Sequence, residues 1–138
     1  MMIDWESPSA RISRYFTVGE ASILNDIYEI YDPTLTERHN ILKLASILDS
    51  VRIFLDAPMN VHSWIRPKEY NDYISGAKKS RHLLGFACDF DCGENCDITR
   101  ARLMPRLKDF RLRMEDIPGT SWVHLDYVGG DVYGLFRP

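Results

Sequence analysis

Apolar residues at Ile41, Leu42, Leu44, Ala45, Ile47, Leu48 and Val51 recur with the period of a helix up to about Leu55, so this stretch is read as the core helix. Thr36, followed by Glu37, offers an N-terminal cap, and Ala57-Pro58 ends the run. Upstream, Tyr15 to Ser22 is the first apolar cluster. Glu20 to Tyr31 reads as a second helix with Ile23, Leu24, Ile27 and Ile30 on one side, closed by Asp32-Pro33. Downstream, Met59 to Ile65 resembles a short strand leading into Arg66-Pro67. A helix is expected there, because Pro67 suits a first turn, Tyr70 and Tyr73 follow, and Ser75-Gly76 closes it.

In the second half the period changes. Phe86, Cys88 and Phe90 alternate with Ala87 and Asp89, which is a strand pattern that places Asp89 opposite the apolar face. The polar run DCGENCD follows as a loop. Ile98 to Met114 carries Leu103, Leu107, Phe110 and Met114 in a helical stripe, but Pro105 demands either a kink or a helix that begins near Met104. Ile117-Pro118-Gly119 reads as a turn, and Trp122 to Val128 alternates as a strand with His124 and Asp126 on one face. Gly129-Gly130 permits a tight hairpin to Val132 to Phe136. No repeat or low-complexity segment interrupts this order. The expected fold class is α+β, with helices packed on a small, mostly antiparallel sheet.

Composition narrows the classes. A chain of 138 residues with 45% hydrophobic content is the size of one domain, residues 1–138, able to bury a core without disulfides. No apolar run approaches the ~20 residues of a membrane helix, so membrane insertion is not expected. The start MMIDWESPSARISR lacks the basic and apolar regions of a secretory signal, so synthesis in the cytoplasm without a cleaved leader is expected. A net charge of −3, with Lys and Arg scattered, gives no reason to expect nucleic acid as a partner. Cys88, Cys92 and Cys96 are read as reduced thiols rather than a metal cluster, with a Cys92–Cys96 disulfide as the lesser alternative.

The candidate chemistry lies in SRHLLGFACD, Ser80 to Asp89, together with VHLD, Val123 to Asp126. His82 and Asp89 stand an odd number of residues apart, so a straight strand would turn them to opposite faces; Gly85 supplies the bend that lets both face one ion. With His124 they form two imidazoles and one carboxylate, a set that leaves a fourth position open and suits a catalytic zinc ion.

These residues resemble a family. Ser80, His82, Gly85, Ala87 and Asp89 fill SxHxxGxAxD, the signature of the zinc peptidases that cut D-alanyl peptides of bacterial cell walls, in which a lone His follows far downstream. YFTVGEAS, ILKLASILDSVR and SWIRPKEYN are similar to the same family and in the same order. The resemblance implies a Hedgehog/DD-peptidase-like fold and zinc held by His82, Asp89 and His124. It also implies hydrolysis of peptidoglycan stem peptides, either as a D-alanyl-D-alanine carboxypeptidase or as an L-alanyl-D-glutamate endopeptidase. Arg66 would hold a substrate carbonyl or carboxylate and support the developing oxyanion. Ser80 would bind a substrate terminus or backbone group, or alternatively cap a turn.

The general base is the point of departure. Many relatives carry Asp or Glu three residues before the last zinc-binding His, and here that position is Ser121. Asp126, two residues beyond His124, is the first substitute, with orientation of a ligand or of Arg66 as its alternative role. Glu115 and Asp116 are further carboxylates that the sequence does not rank. The expected site of action is the bacterial cell wall, reached by a phage lytic enzyme with the help of a holin. A non-catalytic zinc-containing binding or virion structural protein of the same fold is the alternative, and a zinc hydrolase with a non-wall peptide substrate a third.

Overall fold

The computed structural model describes residues 2–24 and 27–137. Its frame is a five-stranded sheet of order β3-β4-β6-β5-β7, built from Asn60–Ser63 (β3), Ala87–Asp91 (β4), Arg113–Glu115 (β5), Val123–Asp126 (β6) and Gly134–Phe136 (β7). All neighbours run antiparallel except β5 and β7, which are parallel. The long helix α2, Leu35–Leu55, supplies the buried stripe Ile41, Leu44, Ala45, Leu48, Val51 and Leu55. This stripe joins Cys88 and Phe90 of β4, Met114 of β5, and Val123 and Leu125 of β6 in one hydrophobic core. Each fully buried side chain of this size contributes about 1.5–3 kcal/mol of hydrophobic stabilisation. The α+β class expected from the patterning is the observed one. Among the described residues, no helix is long and apolar enough to cross a membrane.

The alternation that sends Cys88, Phe90, Val123, Leu125 and Met114 into the core turns their neighbours the other way. Register then aligns those neighbours across strands: Asp89 lies opposite His124, and Ala87 and Arg113 flank Asp126 from either side. One face of the sheet is therefore hydrophobic and the other gathers the titratable groups.

Several local expectations are corrected. The helix expected over Glu20 to Tyr31 is instead α1, Val18–Ser22, with Thr17 and Glu20 forming a capping box, followed by a two-stranded ribbon of Ile23–Leu24 (β1) and Glu29–Ile30 (β2). Ile27 and Ile30 are exposed, so the second half of the apolar stripe has no surface to pack against, and Tyr28 adopts a left-handed φ of +53° that no helix accommodates. Asn25 and Asp26 of that expected helix lie outside the described residues. The cap of α2 is Thr34 rather than Thr36: its hydroxyl accepts from the Glu37 amide while the Glu37 carboxylate accepts from the Thr34 amide. Pro67 caps α3, Lys68–Tyr73, instead of opening its first turn.

Pro105 splits the expected helix over Ile98 to Met114 into α4 (Cys96–Leu103), a 3-10 turn (Met104–Arg106) and α5 (Leu107–Phe110). Arg111, at φ +56°, ends it, and Met114 reaches the core from a strand. The Gly129-Gly130 turn is present, but β7 does not pair with β6. β5 already occupies that edge, so β7 adds outside it. Cys88 and Cys96 are buried, Cys92 is half-buried, and all three are free thiols.

Candidate metal centre

His82 sits in a 3-10 turn, Arg81–Leu84, whose start is capped by Ser80 Oγ accepting from the His82 amide. Gly85 closes the turn at φ +80°. A β-carbon there would stand 2.9 Å from Ile41 Cγ1, so both the backbone conformation and the close approach of α2 require glycine. The turn is held from several sides. The Arg66 amide donates to the His82 carbonyl (2.9 Å), Trp64 Nε1 to the Gly85 carbonyl (3.0 Å) and Asn40 Nδ2 to the Leu84 carbonyl (2.9 Å). The result brings His82 back over the sheet to Asp89, as the odd spacing and the glycine suggested.

His82, Asp89 and His124 each present one ligand atom within 4.8 Å of the others, and all are buried. Their remaining atoms are already committed. His82 Nδ1 donates to the Trp64 carbonyl (2.7 Å), which leaves Nε2 as the free lone pair. That Nε2 is buried, stands 3.2 Å from Asp89 Oδ1 and makes no hydrogen bond. An orphaned buried nitrogen beside a carboxylate is costly in a finished interior, and its lone pair is free to coordinate. His124 directs Nδ1 to Asp89 Oδ1 (2.8 Å) and Nε2 to Asp126 Oδ2 (2.8 Å). The donor set of two imidazoles and a carboxylate, with each ring fixed through its other nitrogen, fits a divalent ion of the zinc type.

Electrostatics agree with the geometry. Burial lowers the pKa of His82 against the pull of Asp89, so the ring stays neutral and able to coordinate. Burial would also lower His124, but its bonds to Asp126 and Asp89 prevail and raise it to about 9. Burial works to raise Asp89, yet the imidazoles of His82 and His124 hold it well below the usual carboxylate range. Asp126 is likewise depressed, with bonds from His124 and Arg113 overcoming its burial.

The cluster opens into a cleft of ≈ 670 Å³ lined by Arg66, Tyr70, Lys79, Ser80, Arg113, Glu115, Trp122 and Phe136, among others. No other cleft on the described surface contains a group of this kind. A match to the family model described as Peptidase M15 spans residues 16–126, most of the chain and all of the cluster. The chain belongs to the peptidase M15 family. No curated protein matches it. As an M15 peptidase it is a hydrolase of the metallopeptidase kind, and its metal-ligand candidates are the residues that the signature names.

Each remaining candidate has a definite place in this M15 domain. Arg66 reaches the cluster: its Nη2 donates to Asp89 Oδ2 (3.1 Å) and its Nε to Ser63 Oγ (3.0 Å). Ser80 both caps the turn of His82 and lines the cleft. Asp126 is 1% exposed and receives a bidentate pair from Arg113, Nε to Oδ1 at 2.7 Å and Nη2 to Oδ2 at 2.9 Å. Ser121 is exposed and not on the cleft wall, whereas Glu115 is on it; Asp116 is turned to Arg137.

Arg113 was not anticipated. It stacks on Phe136 of β7 with its guanidinium carbon 3.9 Å from the ring centroid, and so braces Asp126 from the neighbouring strand. Its segment reads as helix, and a strand neighbour cannot be inferred from a helical register. His62 lies outside the signature. It lines the cleft beside β4, where its Nε2 bonds Asp91 Oδ2, and it sits at the irregularity of register between β3 and β4. His39 is exposed on α2. Among the aromatic residues around the site, Tyr70 and Trp122 line the cleft, Trp64 is core and Tyr73 is exposed.

Proposed function

We propose that this M15 domain is a zinc-dependent peptidase that hydrolyses amide bonds in peptidoglycan stem peptides. The observation that carries the proposal is the buried cluster of His82, Asp89 and His124 opening into a cleft with an arginine beside it. Zinc, when bound, would supply Lewis acidity and lower the pKa of water enough for hydroxide attack near neutral pH. The chain's own residues do the rest. His82 offers Nε2 and His124 offers Nδ1 to the ion, with Asp89 as the anionic ligand. Asp126, held by Arg113, fixes the His124 ring through Nε2. Arg66 donates to the substrate carbonyl oxygen as charge develops on it, and its bond to Ser63 keeps the guanidinium in place. Ser80 offers a hydroxyl for a substrate backbone group at the same wall.

The cleft also carries Lys79, a cation suited to the carboxylate-bearing stem peptides. We place the site of action at the bacterial cell wall, reached by a lytic route through a membrane opened by a holin.

Incubation of the purified protein with peptidoglycan, with and without a chelator, tests this reading by mass spectrometry of the released fragments. Metal-dependent release of D-alanine is the outcome for a carboxypeptidase, and new L-alanine and D-glutamate ends that for an endopeptidase. A zinc-loaded protein that cleaves no muropeptide overturns the proposal. It would favour the non-catalytic reading, which has Ser121, away from the cleft, on its side.

A further inference from the structure

A peptidase of this kind needs a carboxylate that can take a proton from the attacking water, and the position three residues before His124 holds an exposed serine outside the cleft. Three carboxylates line the cleft among the described residues: Asp89, Asp126 and Glu115. Asp89 is a metal-ligand candidate. Asp126 is on the wrong side of an imidazole. His124 points Nδ1 at Asp89 and Nε2 at Asp126, and the two nitrogens of a ring face different directions. The Asp126 carboxylate therefore lies behind His124 as seen from the cluster. Both its oxygens are also engaged, Oδ1 by Arg113 and Oδ2 by Arg113 and His124, and the residue is closed to solvent. A carboxylate so held orients the ring and has no path to a water in the cleft.

Glu115 differs on each count. It shares the cleft face of β5 with Arg113, while Met114 between them is buried in the core. The pairing of Arg113 with Asp126 and of Met114 with Leu125, carried one step further, sets Glu115 beside His124. It is half-buried and lines the cleft, and its carboxylate makes no hydrogen bond or ion pair among the described residues. It also stands outside the tight ligand group of His82, Asp89 and His124. We propose that Glu115 is the general base, carried on β5 rather than three residues before the last histidine, where many relatives place their acidic residue. The inference rests on the peptidase reading above. In the step, the water oxygen bonds to the carbonyl carbon as its proton passes to the Glu115 carboxylate. Glu115 then delivers that proton to the amide nitrogen as the carbon–nitrogen bond breaks, leaving a free carboxylate and an amine.

The test compares zinc-loaded wild type with E115Q, E115D, S121A and D126N, each checked for folding by thermal melting and for metal content. The expected result for E115Q is a loss of 10²- to 10⁴-fold in kcat on stem peptides. KM and zinc content should stay within about threefold of wild type, with partial recovery in E115D and no change in S121A. A second readout needs no turnover. E115A should bind a phosphinate analogue of the cleaved peptide at least tenfold more weakly than wild type, while its affinity for the uncleaved peptide is retained. E115Q with wild-type kcat, or E115A with unchanged phosphinate affinity, overturns the assignment of Glu115 and leaves the peptidase reading standing. Wild type that neither cleaves stem peptides nor binds the phosphinate overturns both. Wild type that fails to cleave them but shows the Glu115-dependent phosphinate affinity supports the base and overturns only the substrate.

Discussion

His124 is pulled by two carboxylates at once, and its protonation is where metal and fold compete. Held between Asp89 and Asp126 its pKa rises to about 9, so without metal it is an imidazolium at neutral pH. To coordinate through Nδ1 it must give up one proton while keeping Nε2–H for Asp126. His82 is already neutral and Asp89 already ionised, which means that metal uptake at pH 6 should release about one proton per ion. A dye-monitored titration of weakly buffered metal-free protein counts it.

The same shift sets a stability profile for the metal-free protein. A raised pKa contributes stability that is full below the unfolded value of about 6.5 and is lost as pH rises through about 9. Melting temperatures of metal-free protein should therefore fall across that window, with no such fall in the metal-loaded form. Asp126→Asn removes the charge that binds Arg113 and His124 together, and metal affinity should weaken about 10- to 100-fold in a competition with a chromogenic chelator. The residues His82, Asp89 and His124 could be named from the sequence because their types and spacing are their own signal. Arg113 could not, and Glu115 could be named but not ranked, since neither belongs to a motif and each matters only through a strand neighbour.

Among the elements, the 3-10 turn over Arg81–Leu84 is the one on which the site depends. It exists because Gly85 can hold φ +80° where the side chain of Ile41 leaves no room for a β-carbon. Gly85→Ala should cost about 2–4 kcal/mol from left-handed strain plus overpacking. The loss would appear as a lower urea midpoint and, because His82 rides on the turn, weaker metal binding. This bend was legible from an odd spacing with a glycine inside it. The helix expected over Glu20 to Tyr31 was not so safe. Four apolar residues at helical intervals say nothing about whether a partner surface exists, and here Ile27 and Ile30 face solvent. Residues 98–114 failed differently: Leu112 and Met114 fit a strand, Phe110 and Met114 fit a helix, and Arg111 in the left-handed region settles the matter locally.

At the level of the whole domain, the candidate metal site ties together pieces far apart in the chain, the turn at His82, β4 and β6, with α2 closing the hydrophobic face behind them. Metal that binds the folded form alone stabilises it by about 4 kcal/mol at a thousandfold excess over Kd, which corresponds to roughly 10 °C or more in Tm for a domain of this size. Calorimetry with and without zinc should show the rise, and His82→Ala should abolish it. The candidate metal ligands follow from residue type and the resemblance to the signature, and the class of fold and the core stripe of α2 from period, all of them local properties. The partners of those ligands follow from strand order. That Asp126 lies behind His124, that Arg113 braces it and that Glu115 stands on the cleft wall depend on β5 pairing beside β6 with β7 outside it. Pairing between strands is a long-range choice, made by burial of the shared core, and no local period in the chain encodes it.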